Sequence, residues 1–353
     1  MLEYGPEPKV ARDRPVRVRV EDLEEDGRIL ETLLKVYARR SDDGRFEGSL
    51  RDMVVGTLSG KDGRAIILAA PSGAGKTSLV EHASRRVPGL SLDGRRPGML
   101  FVQVPSPCSL ADLGAEIATA AGHPVRKGLK APVAWDAAWR VIRVKKIRFL
   151  WIDEVHSITE VANAKSARQI RNTLKMALIN ARHKVGLVLS GDPSIVGFLR
   201  GDAHVRRRSD VFAFAPLDGG MLEVLAKTVA RLAEKVGMGT PRNLRNQVVP
   251  RLAHAALGQF GTAIEMTRFT IVGALRIKDG RDRSPSSLTL EHFATHWARS
   301  TGAANTENPF LTARWADLDV AAILGGDGGS APNAAGGAKA SRGAKPSRPR
   351  RRG

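Results

Sequence analysis

The stretch RAIILAAPSGAGKTSLV, residues 64–80, decides the fold. It opens on Ile66, Ile67 and Leu68, an apolar run of the length of a buried parallel strand. The run gives way to Ala70, Pro71, Ser72, Gly73, Ala74, Gly75, Lys76, Thr77 and Ser78, and then to a segment of helical pattern. Strand, glycine-bearing loop, Lys-Thr and helix, in that order, make a phosphate-binding loop. Gly73 and Gly75 let the backbone curl so that its N–H groups face inward, onto β- and γ-phosphates. The helix beginning near Lys76 adds the positive end of its dipole. Lys76 is expected to neutralise phosphate charge and the Thr77 hydroxyl to complete a magnesium shell, so ATP and Mg2+ are the expected ligands. Ala70 stands at the first position of the pattern, where glycine is usual.

About 80 residues on, a second apolar run, 147–152, ends in Asp153 and Glu154. At the C-terminal end of a strand beside a phosphate loop, the first carboxylate can hold magnesium and the second can polarise the attacking water. Asp153 is therefore expected as the magnesium acid and Glu154 as the general base. A further strand, 186–190, ends in Ser190-Gly191-Asp192, where either Ser190 or Asp192 can orient the lytic water. Arg206, Arg207 and Arg208 precede a fifth strand, 211–214. An arginine there, with Arg207 and Arg208 the foremost candidates, can reach a neighbouring subunit's γ-phosphate. His156 reads as a polar residue near the site, without the spacing of a metal ligand.

Strands alternate with helices from the phosphate loop to residue 214, the second strand spanning 99–104. This alternation predicts an α/β fold, a parallel sheet with helices on both faces. Before it lie an amphipathic helix at 23–40 and a short helical piece at 50–58. Within it, Ser109-x-x-Asp112 has the form of a capping box, 135–146 reads as a helix and 164–182 as a long one. After Pro216 the strand signal stops and helices are expected at 221–236, 244–257, 262–277 and 288–299. The predicted division is a loose basic arm at 1–20, an ATPase core at 21–217, a helical lid at 218–315 and a disordered basic tail at 316–353.

The chain carries a formal charge of +20. Seven basic residues and one acid lie in 325–353, which leaves about +14 on the remainder. Such an excess points to a polyanion, and nucleic acid comes before membrane because no basic amphipathic anchor is present. Beside the Arg-rich tail, two clusters are candidate phosphate contacts: Arg126, Lys127 and Lys130, then Arg140, Arg143, Lys145 and Lys146. Neither pairs Arg with Asn or Gln as a recognition helix does, so duplex DNA is expected to be held through its backbone. No apolar run approaches the roughly 20 residues that span a bilayer, and the first residues show no secretory pattern. One cysteine, Cys108, rules out a disulfide framework and fits a reducing cytoplasm.

The order of these motifs resembles that of AAA+ ATPases. Within them, the turn LVLSGDPSIVGFLR, the run RRRSDVFAFAPL and Asn308-Pro309-Phe310 are similar to the TniB/TnsC group of transposition ATPases, relatives of MuB. The resemblance covers residues 20 to 315. It implies an ATP-dependent homo-oligomer, a ring or helical filament on duplex DNA, that recruits and activates a DDE-type transposase, with a target-selector protein as a further partner. Two other readings stay open: an ATP-binding DNA scaffold that barely hydrolyses, and a replication or secretion AAA+ ATPase without a transposon role. The chain departs from the group at Gly191-Asp192, where Gly-Thr is usual. At the start of the lid helix, 258–262, no arginine fills the sensor position, and Arg268 lies two turns further on.

Overall fold

The computed structural model describes residues 20–325, apart from 61–62, 93–97, 127, 162–163, 180–182, 215 and 276–286. Two helices, Val20–Leu34 (α1) and Asp43–Leu58 (α2), precede the first strand, Ala65–Ala69 (β1). Then follow Lys76–Arg86 (α3), Leu100–Gln103 (β2), Leu110–Ala120 (α4), Ala131–Val144 (α5) and Phe149–Asp153 (β3). His156–Val161 (α6), Ala164–Ile179 (α7), Gly186–Gly191 (β4), Ser194–Arg200 (α8), Ala203–Arg207 (α9) and Ser209–Ala213 (β5) complete the α/β part. Beyond it come Gly219–Lys235 (α10), Val249–Ala255 (α11), Phe260–Leu275 (α12), Leu290–Thr301 (α13) and Val320–Ile323 (α14). No helix among the described residues is long and apolar enough to cross a membrane.

The five strands form one parallel sheet in the order β2-β3-β4-β1-β5. β1, β3 and β4 are buried at every position, which is why their sequences run apolar without alternation. On one face pack α4, α5 and α7 through Leu113, Ile117, Trp135 and Leu174. On the other pack α2 and α3 through Phe46, Leu50, Met53, Leu79 and Val80. The C-terminal ends of β1, β3 and β4 therefore lie side by side. The Ala70 N–H donates to Gly191 O at 3.0 Å and the Val155 N–H to Ser190 O at 2.9 Å, tying the three exits together.

α1 and α10 to α14 enclose a separate apolar core. α1 and the segment after it belong to it: Leu33, then Val36 and Ala38, are buried with Leu225, Leu252 and Ile271. The sequence places this helix with the ATPase core, but its apolar face meets α10 and α12. α1 also stops at Leu34, short of the expected residue 40, because the chain turns toward the sheet. α2 begins earlier than expected, since Asp43 sits in its first turn, where a carboxylate is favoured, and receives Tyr37 Oη and the Arg40 N–H. The helix expected over 244–257 is a π-helical turn, Leu244–Val248, followed by α11, for Pro250 at the junction has no N–H to give. Asn308-Pro309-Phe310 is a buried turn: Asn308 Nδ2 donates to Ala294 O, and Phe310 packs on Phe293 and Trp297. From 316, where the sequence predicts the tail, the chain continues through α14, whose Val320 is buried in the same core. The arm at 1–19 and the tail from 326 lie outside the described residues.

Candidate functional site

Residues 70–77 wrap the C-terminal end of β1 as the loop chemistry requires. Gly73 and Gly75 have φ of +73° and +90°, a region that favours glycine, and Gly75 is the N-cap of α3. Ala70 and Ala74 are buried, while Ser72, Thr77 and Ser78 are exposed. Lys76 is buried and its ammonium donates to Ala70 O at 2.8 Å and Pro71 O at 3.1 Å. Burial lowers its pKa, and the charges of Glu154, Asp153 and Asp192 oppose that shift. The loop thus holds its cation near the carboxylates that follow β3, Asp153 and Glu154, and the one that follows β4, Asp192.

Asp153 is the hub of the site. Its Oδ2 lies 3.5 Å from Thr77 Oγ1. Its Oδ1 accepts from Ser190 Oγ at 2.5 Å and from the Glu154 N–H at 3.0 Å. Ser190 is fully buried and its oxygen also accepts from Trp151 Nε1 at 2.8 Å. Its hydroxyl is thereby committed to holding Asp153. Asp192 is engaged too, since its Oδ1 accepts from the Ser194 N–H and Oγ at the start of α8. Glu154 adopts a φ of +59°, and its Oε2 lies 3.2 Å from His156 Nε2.

A second layer, read from none of the motifs, clasps the loop from outside. Arg40 Nη2 donates to Ala74 O at 2.8 Å and Gly75 O at 3.4 Å. Its guanidinium lies 4.0 Å from the Phe214 ring centre and 5.1 Å from that of Phe260. The first turn of α12 rests on the same loop, with the Thr262 N–H donating to Gly73 O at 2.8 Å. A Cβ on Gly261 would meet Gly73 O at 2.5 Å, so only glycine permits this approach. Arg268 does not take part: its Nη2 donates to Val36 O. No local pattern marks Arg40, because its partners come from residues 74, 214 and 260.

The basic residues fall in two places. On α9, capped by Asp202, Arg206 Nη1 reaches Arg200 O and Arg208 Nη1 reaches His204 O. Arg207 is exposed, and its side chain makes no hydrogen bond or ion pair with any described residue. Lys130 is the N-cap of α5 and Lys145 its C-cap, so the two expected DNA clusters stand about 20 Å apart at opposite ends of one helix. Arg126, Lys130, Arg143 and Lys146 are exposed. Arg140 pairs with Asp136, and Lys145 Nζ donates to Ala121 O at the end of α4. Lys127 lies outside the described residues.

A protein-family model described as an AAA domain matches residues 59–199. No curated protein sequence matches the chain. Among solved structures, the chain is similar to the Orc1 protein of Aeropyrum pernix in complex with DNA, with a TM-score of 0.54 and 17% identity over 79% of this chain and 70% of that one. It is also similar to the ORC2 protein of A. pernix in its ADP form (0.54, 16%, 78% and 75%). For Cdc6p of Pyrobaculum aerophilum the figures are 0.53, 14%, 78% and 75%. The fold is that of an AAA+ P-loop NTPase, a five-stranded parallel sheet covered by helices on both faces.

Proposed function

We propose that the protein is an ATPase that assembles on duplex DNA and regulates transposition. The observation that supports this best is the convergence of Lys76, Thr77, Asp153 and Glu154 at the ends of β1 and β3. The loop amides and Lys76 receive the phosphates. The Thr77 hydroxyl and Asp153 carboxylate, a hard-oxygen pair with no nitrogen or sulfur donor between them, fit a magnesium ion and would hold it. Held there, the ion would supply positive charge against that of the phosphates. Glu154 takes the proton of the attacking water. Ser190 keeps Asp153 aligned, and Arg207, exposed and unpaired among the described residues, serves the site of a neighbouring subunit.

Contact with DNA is assigned to the exposed cations around α5, and to those of the tail as a tether. The charge of about +14 outside 325–353 and the exposure of Arg126, Lys130, Arg143 and Lys146 support it. A transposase partner rests on the likeness of LVLSGDPSIVGFLR and RRRSDVFAFAPL to the TniB/TnsC group. Lys76→Ala should abolish ATP binding, while Glu154→Gln should bind ATP and lose turnover on the order of a hundredfold or more. Equal ATP binding by Lys76→Ala and wild type would reject the loop assignment. Hydrolysis measured with and without duplex DNA separates this reading from the scaffold that barely hydrolyses. Arg126→Ala with Lys130→Ala should flatten the dependence of DNA affinity on salt by roughly one unit for each phosphate no longer neutralised.

A further inference from the structure

His156 bridges the loop after β3 to the tip of β4, a placement that the motif chemistry leaves without a task. Its Nε2 lies 3.2 Å from Glu154 Oε2. On the other side of the ring the Asp192 N–H donates to Nδ1 at 3.4 Å. That donation requires a lone pair on Nδ1, so the neutral ring carries its proton on Nε2 and gives it to the Glu154 carboxylate. The approach depends on Gly191, where a Cβ would stand 3.2 Å from the His156 backbone nitrogen and 3.3 Å from Nδ1.

Glu154 has reason to need a holder. Its backbone sits in the left-handed region, and its side chain is 38% exposed. Beside it opens a cavity of about 570 Å³, lined also by Gln103, Ser106, Glu116 and Ser157. An untethered carboxylate can rotate into that space. Tethered, it stays where its charge acts on Lys76 more strongly than that of Asp153 or Asp192. The geometry points to His156 as a positioning residue: its Nε2–H holds Glu154 toward the phosphate loop, and its Nδ1 indexes that hold to the end of β4. The inference rests on the reading of Glu154 as the base in ATP hydrolysis.

Two substitutions separate the two interactions. His156→Asn keeps an acceptor near the δ position for the Asp192 N–H but cannot reach Glu154. His156→Gln places an amide donor near the ε position and still can. The full-length His156→Asn and His156→Ala proteins should bind ATP as wild type does, with KM unchanged, and lose turnover on the order of tenfold. His156→Gln should recover the greater part of that loss. In a Glu154→Gln background, His156→Asn should lower turnover no further, because it acts through Glu154. A ring that merely supported the fold would instead lower ATP affinity and melting temperature, with Gln no better than Asn, and that pattern overturns the inference. Ring-nitrogen NMR of the nucleotide-free protein gives a readout apart from turnover: His156 should be the Nε2–H tautomer, and the Nδ1–H tautomer overturns the tether. Full turnover by Glu154→Gln removes the reading beneath it and the tether with it. An inactive Glu154→Gln beside a fully active His156→Asn rejects the tether alone.

Discussion

The phosphate loop has two faces, and they are built differently. The inner face consists of Lys76 and Thr77, which open α3 after the loop that leaves β1, and of Asp153, Glu154 and Ser190 at the C-terminal ends of β3 and β4. The sheet alone brings these residues together. The outer face consists of Arg40, Phe214 and the turn from Phe260 to Thr262, which belong to the segment after α1, the exit from β5 and the first turn of α12. Only the docking of the helical region onto the sheet assembles it. The inner face should therefore control phosphate binding through Lys76 and turnover through Glu154, both at constant stability. The outer face should control stability and nucleotide affinity together, because a loop that loses its clasp also loses its preorganisation for phosphate.

The largest effect that tests this contrast comes from adding one methyl group at the outer face. In Gly261→Ala the new Cβ meets Gly73 O at 2.5 Å, Gly75 N at 2.9 Å and Gly75 Cα at 3.1 Å, all backbone atoms that cannot swing aside. The substitution should cost about 3 kcal/mol, near the upper end for overpacking, and lift α12 from the loop. Gly273→Ala lies on the same helix and meets nothing nearer than Arg299 Nη1 at 3.9 Å. It should stabilise by up to about 1 kcal/mol through helix propensity. Chemical denaturation of the two variants checks both signs. A shared sign would show that α12 does not depend on its seat against the loop.

Next in size is Arg40→Ala, which removes the bonds to Ala74 O and Gly75 O and the cation that Phe214 and Phe260 enclose. A loss of about 2 kcal/mol is expected from the charge-assisted bonds and the ring interactions. Arg40→Lys should restore less than half of it, because an ammonium has no plane to lay on Phe214. ATP affinity should weaken in both variants, while turnover at saturating ATP should stay near that of wild type. A fall in saturated turnover with affinity intact would place Arg40 on the inner face.

This division also explains how much of the site is legible in the sequence. Gly73, Gly75, Lys76 and Thr77 are legible because phosphate chemistry fixes their types and their order within a few residues. Asp153 and Glu154 are legible because an apolar run that ends in two acids has few other uses beside such a loop. Arg40 gives no sign, since its partners stand 34 to 220 residues away and each approach is a packing outcome. Proximity in sequence groups α1 with the sheet, although its apolar face fits α10 and α12. Ser190 and Asp192 look alike in sequence as water-orienting groups. The register of β3 and β4 instead brings the Ser190 hydroxyl to Asp153 and Trp151 Nε1, which a one-dimensional reading does not show.

The smallest predicted effect concerns acid. His82 on α3 stacks on Tyr37, in the segment that carries Arg40, with ring centres 3.7 Å apart. Burial lowers its pKa first and the charge of Arg86 adds to that, while Asp43 and Glu47 pull the other way. Burial likewise lowers His292 and His296 on α13. For each, the folded pKa lies below the unfolded value near 6.5, so the unfolded chain takes up the proton first. The stability linked to the neutral rings is complete above that value and is lost as the pH falls through it toward the folded pKa. His292 and His296 belong to the helical region behind the clasp, and His82, on α3, supports the segment that carries Arg40 through its stack on Tyr37. Between pH 7.5 and 5.5 the melting temperature should therefore fall, and amide exchange should rise in α13 and around Tyr37 before it rises in β1, β3 and β4. His82→Phe keeps a flat ring against Tyr37 without a titrating nitrogen, and its melting temperature should fall less over the same interval. If exchange instead rises first in the central strands, acid acts through the sheet, and the contrast between the two faces does not extend to pH.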